Sequence, residues 1–165
     1  MDGQDVIRTV EAAFERGDLP PAADLTNDHC NECIETYREF WSEPHTFMTW
    51  QEAARRQGSC VEAALLAVGA WRYYLPTLIV WCVRDTDKVD ALVDNLVHEL
   101  TPPAPSDREW FGPRSVGFSA DQRKAITHFL EWYQEQEKAE WASIGRESPD
   151  DAADAIRYWS VSGAG

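Results

Sequence analysis

The stretch from Cys60 to Val83, CVEAALLAVGAWRYYLPTLIVWCV, constrains the fold more than any other part of this chain. It is apolar on nearly every side, so something must surround it, either lipid or protein. Glu62 and Arg72 interrupt the run and Arg84 closes it. The pieces fall well short of the ~18 uncharged residues that a membrane span requires. The segment therefore reads as buried core. Ser59 with Glu62 forms a capping box that introduces it. Pro76 lacks an amide donor and must kink a helix or mark its first turn. Gly69 makes a break near AVGAW reasonable, so two shorter helices are expected here.

The same helical logic runs through the rest of the sequence. Val6, Val10 and Phe14 repeat every four residues, which predicts a helix from about Gln4 to Arg16 that Gly17 ends. GDLPPAADLTND is a loop by its prolines and acids. A second helix follows Asp28 and stops at SEPH. Thr49 opens a third through a capping box with Glu52, and Gly58 stops it. Asp85 or Thr86 is expected to cap KVDALVDNLVHEL. There Val89, Leu92, Val93, Leu96, Val97 and Leu100 form a regular apolar stripe. TPPAPSDREWFGPRSVGF reads as an extended connection packed by Trp110, Phe111 and Phe118. Ser119 and Gln122 box the start of a helix that buries Ile126, Phe129, Leu130 and Tyr133 and runs toward Gly145. Last, Ser148 caps a helix with Pro149 in its first turn. Ala152, Ala155, Ile156 and Trp159 face inward along it. No segment alternates as a strand would. The fold expected is all-α: one helical domain over residues 1–165, a bundle of about six to seven helices with one long Pro/Gly-rich connection.

Charge narrows the partners. The chain carries 29 acidic and 15 basic residues, a formal net charge of -14. A polyanion or an anionic membrane would be repelled, whereas a basic protein would be attracted. The opening MDGQDVIRTV has no apolar signal-peptide core, and the four Cys are expected to be reduced thiols. A cytoplasmic location follows as the expectation.

Two constellations share the second predicted helix. His29, Cys30 and Cys33 could approach one point on it. Zinc would want a fourth ligand, from among His45, Cys60, Cys82, His98 and His128. The competing reading is structural. Cys30, Cys33, Ile34, Tyr37 and Trp41 fall on one face, and free cysteines pack as small hydrophobes. Across from them Glu32, Glu35, Glu39 and Glu43 form an acidic stripe. Nine acids and two bases lie between Glu11 and Glu43, so the charge is locally concentrated. Such a stripe is either a solvated face or an electrostatic docking surface. Trp71, Tyr73 and Tyr74 could line a small-molecule pocket, although aromatics beside an apolar run usually belong to the core. Arg72 could hold an anion or an ion-paired acid. No HExxH, GxSxG or phosphate loop is present, and no catalytic residue is assigned.

Several motifs occur in a recognisable order. WRYYLP at Trp71–Pro76 leads into an apolar helix ending in RDTD, followed by HELTPP at His98–Pro103 and FSADQRKAITHFLEW at Phe118–Trp132. This series resembles a family of small bacterial proteins of unknown function that read RYYLP, LTPP and F-[ST]-x-x-Q leading to FLE. Some members also carry a His-Cys-x-x-Cys cluster, which HCNEC at His29–Cys33 resembles. The likeness covers roughly the middle and later two-thirds of the chain. It departs from the family's Thr-Pro-Glu at Val68 and Gly69. It implies a shared fold and no mechanism.

The function expected is a non-enzymatic acidic domain that docks on a basic protein, in its sharpest form an immunity protein that neutralises a toxin. The partner-binding residues are then Glu32, Glu35, Glu39 and Glu43, with no cofactor. A zinc-binding protein or metal-dependent enzyme at His29, Cys30 and Cys33 is the rival. A small-molecule binder at the aromatic helix is the third reading.

Overall fold

A computed structural model of the chain describes residues 2–15, 49–55, 66–86, 90–104 and 108–161. Among these the secondary structure is helical, with seven helices and no strand. They are α1 (Gly3–Ala13), α2 (Trp50–Arg55), α3 (Val68–Arg84), α4 (Asp90–Leu100), α5 (Arg108–Ser115), α6 (Ala120–Ser143) and α7 (Ala153–Ser160). The all-α expectation holds. The chain divides into two units, Arg16–Leu96 and the combination of Met1–Glu15 with Val97–Gly165, the division falling within α4.

In the Arg16–Leu96 unit, α2 packs on α3. The predicted box opens α2: the Thr49 amide donates to the Glu52 carboxylate at 3.0 Å and the Glu52 amide to Thr49 Oγ1 at 3.3 Å. Side chains of α3 donate to the backbone carbonyls of α2. Thr77 Oγ1 donates to the Trp50 carbonyl (2.8 Å), and Trp81 Nε1 (3.2 Å) and Arg84 Nη1 (2.6 Å) both donate to that of Ala54. Helix α3 runs unbroken through Pro76 and buries eleven residues from Ala70 to Cys82. Burial on that scale outweighs the ~3 kcal/mol that an internal proline costs. The break expected near AVGAW is the start of α3 at Val68, and the earlier expected helix lies outside the described residues. Asp85 and Thr86 serve the end of α3, and the residues that join them to α4 lie outside the described residues. Asp85 is its C-cap, and Thr86 Oγ1 donates to the Cys82 carbonyl at 2.7 Å.

In the other unit, α1 and α7 both pack on α6. Asp2 caps α1, which buries Val6 and Val10 and ends at Ala13, with Phe14 as its C-cap, short of the Arg16 expected from periodicity. The boxed start of α6 at Ser119 and Gln122 is present in full. Two expectations are corrected here. The extended connection contains α5, in spite of Gly112 and Pro113, because distant partners hold it. Arg114 forms a nearly buried ion pair with Glu99, and Tyr158 Oη donates to Ser115 Oγ at 2.9 Å. Helix α7 begins at Ala153, not at Pro149. Ser148 Oγ donates to the Pro149 carbonyl, and a turn at Asp150–Ala152 precedes the helix.

Candidate functional site

The stripe residues Glu32, Glu35, Glu39 and Glu43 and the cluster His29, Cys30 and Cys33 lie outside the described residues, as do His45 and Cys60. The remaining candidates for a fourth metal ligand are described. Cys82 is fully buried in α3, where desolvation pushes its thiol well above the usual range. His98 is exposed and stacks on Trp110 (6.4 Å between ring centres), and His128 is half-buried on α6. Among the described residues no group of three or more His, Cys, Asp or Glu could hold a metal ion.

Trp71 and Tyr74 are core residues, exposed by only 1 % and 2 %. Burial raises the Tyr74 phenol above its ordinary value, with the neighbouring Tyr73 adding to the effect. Tyr73 is half-buried and packs edge-to-face on Tyr74 at 4.8 Å. Its own phenol is raised by desolvation, partly opposed by a hydrogen bond with the Trp50 backbone.

The strongest charge feature among the described residues lies elsewhere, on the second half of α6 and the approach to α7. Between Glu131 and Asp154 there are eight acids and two bases, Lys138 and Arg146. Glu135, Glu140, Glu147, Asp150, Asp151 and Asp154 are exposed, whereas Glu131 and Glu137 are half-buried. Counting charge segment by segment along the sequence would have found this region.

Its geometry follows from how α7 is fastened to α6. Near the start of α6, Arg123 donates from Nη2 to the Tyr158 carbonyl (2.6 Å), and its guanidinium lies over the rings of Tyr158 (5.3 Å) and Trp159 (4.9 Å). Further along, Gln134 donates to the Asp150 carboxylate. The two helices are therefore antiparallel, and α6 continues for about 14 Å past Gln134, at ~1.5 Å per residue. This arm, the part of α6 beyond its contact with the approach to α7, ends in a Schellman turn. Gly145 has φ +72°, its amide reaches the Ala142 carbonyl, and the Arg146 amide reaches that of Trp141, each at 3.0 Å. The core stripe of α6 continues into the arm as Glu137, Trp141 and Ile144, but no α6 residue after Tyr133 is buried. Trp141 is half-buried and donates from Nε1 to Glu137 at 3.3 Å, and Ile144 at the tip is 62 % exposed. An apolar centre rimmed by carboxylates can engage a cationic surface that carries an apolar side chain.

A cleft of about 400 Å³ lies between α1 and the start of α6, lined by Asp5, Arg8, Thr9, Ala12, Ala13, Asp121 and Lys124. Its four charged residues are exposed and balanced in sign, and Arg8 is already paired with Asp5. It shows no preference for a ligand charge.

Two helical units, each burying Trp and Tyr side chains, with acids massed on the second half of α6 and the approach to α7, define an acidic all-α protein. The chain belongs to a family of unknown function, DUF6714, whose model matches residues 2–162. No curated protein and no solved structure matches it. No helix among the described residues is long and apolar enough to cross a membrane.

Proposed function

We propose that this protein is a non-enzymatic binding protein that docks on a basic protein partner, and that in its sharpest form it is an immunity protein neutralising a toxin. The observation that carries the reading is the concentration of exposed carboxylates on α6 and the approach to α7, within a chain of net charge -14. A field of one sign steers an oppositely charged protein and repels nucleic acid and anionic membranes. Glu32, Glu35, Glu39 and Glu43 supply a second concentration in the sequence. The partner is cationic, and the proposed interaction needs no metal or cofactor.

The test begins with proteins retained by the immobilised chain at low salt and released at high salt. Each is identified and its association rate measured. Reversal of Glu32, Glu35 and Glu39 to Lys, and separately of Glu135, Glu140 and Glu147 to Lys, should slow association by at least tenfold for one set while folding survives. A partner of acidic composition, or wild-type rates for both variants, would overturn the proposal.

A further inference from the structure

We infer that α5 is a latched element: it leaves the unit that holds α6 and α7 as one piece, well before those two helices come apart, and the Glu99–Arg114 ion pair is the latch that keeps it seated. Opening lifts Phe111 from its place against Tyr158 and uncovers an aromatic face there. The inference goes beyond the docking reading and does not depend on it.

Local chemistry gives α5 little helical stability of its own. It is eight residues long, so few amides can bond within it, and Pro113 supplies none. Gly112 is, after proline, the residue least suited to a helix interior. Two residues past the end of the helix, Gly117 turns the backbone with φ +81°. Among its described side chains Phe111 is the apolar residue that α5 buries, and the other two buried residues are Arg114 and Ser115. By contrast, α6 starts from a complete capping box and buries seven residues between Ala125 and Tyr133.

What seats α5 therefore comes from outside it. The buried Arg114 is paired with Glu99 at the end of α4. Ser115 Oγ accepts from Tyr158 Oη at 2.9 Å, and the Phe111 ring meets that of Tyr158 edge-to-face at 5.2 Å. The ion pair decides the balance. With the Glu99 charge removed, the Arg114 guanidinium sits in a place nearly closed to water with its carboxylate gone, and a buried charge stripped of its counter-charge is strongly destabilising. Moving α5 out returns that charge to water, and the chief apolar burial given up is that of Phe111. Helices α6 and α7 need not follow. They pack on each other, and Arg123 fastens them by donating to the Tyr158 carbonyl at 2.6 Å and lying over the rings of Tyr158 and Trp159.

Amide hydrogen exchange of the isotopically labelled full chain, followed by NMR over a series of urea concentrations below the unfolding transition, tests this. In the wild type the amides of Gly112, Arg114 and Ser115 should be protected roughly a hundredfold less than the slowest amides between Ile126 and Tyr133 of α6. Their exchange should also depend less on urea, because a small opening exposes little surface. Glu99→Gln keeps the shape of the side chain and removes its charge. It should speed exchange of the α5 amides by roughly tenfold or more and leave the slowest α6 amides within about threefold of wild type. Equal protection and equal urea dependence of α5 and α6 in the wild type would overturn the independent opening. A Glu99→Gln chain that speeds both helices alike, leaves α5 unchanged or fails to fold would overturn the latch.

Discussion

Replacing Trp159 with Phe should destabilise the protein far more than the same exchange at Trp141, although both indoles donate a hydrogen bond. Trp159 is 2 % exposed, and its Nε1 reaches the Leu100 carbonyl at 2.8 Å. Leu100 is the last residue of α4, so its carbonyl has no acceptor role within the helix. Phe at position 159 removes that donor from a buried acceptor, at a cost of about 1–3 kcal/mol. The smaller ring also leaves a void, adding roughly 1 kcal/mol at ~24 cal/mol per Å³. The edge-to-face contact with Phe118 (5.4 Å) can persist, and Arg123 keeps a weaker aromatic face beneath it. The total is about 2–4 kcal/mol. Trp141 donates only to Glu137 one turn back on its own helix, so Trp141→Phe should cost no more than ~0.5 kcal/mol. Urea denaturation followed by far-ultraviolet dichroism separates the two through the midpoint, with the slope unchanged. Trp159→Phe within about 0.5 kcal/mol of wild type, or equal losses for both variants, would refute this account of how α7 is held.

The pH dependence has a definite sign. Burial raises the Cys82 thiol and the Tyr74 phenol, so both stay protonated in the folded chain at pH values where the unfolded chain ionises them. Their contribution is full below the ordinary thiol range, ~8.5, and is lost as pH rises beyond it, so the urea midpoint should fall between pH 8 and pH 10. Across that range Cys82 should resist alkylation in the native protein and react on unfolding, as peptide mapping by mass spectrometry would show. Gly145→Ala meets no atom within 4 Å of the added Cβ but must adopt φ +72°, so a loss of ~1–2 kcal/mol is expected in the same denaturation assay. Protein purified without chelator should carry well under one equivalent of zinc by elemental analysis. Stoichiometric metal would favour a site at His29, Cys30 and Cys33.

The parts of the fold legible in the sequence are those set by short-range chemistry. The boxes at Thr49–Glu52 and Ser119–Gln122 form because a side chain three residues away satisfies an orphan amide, and nothing distant is needed. The stripe of α4 was readable for a similar reason, since Leu92, Val93, Leu96, Val97 and Leu100 are buried in helical register. Helix α5 was not readable, because Gly112 and Pro113 argue against it locally. What holds it comes from Glu99 and Tyr158, far along the chain. The start of α7 misled in the opposite way. Ser148–Pro149–Asp150 has the composition of a helix start, yet that backbone is leaving the Schellman turn of α6, and Asp150 is tied to Gln134. At the arm, charge was available from counting, but the exposure of Trp141 and Ile144 was not. Their spacing matches the core stripe, and only the accessibility of the folded chain shows that no residue of α6 after Tyr133 is buried.

The ionic-strength dependence of association with the captured basic partner separates docking by charge from docking without it. The rate constant should fall at least tenfold between 20 mM and 500 mM salt as the screening length shortens from about 20 Å to about 4 Å, with dissociation changing little. A rate constant that stays flat across that range would contradict docking by the acidic surface.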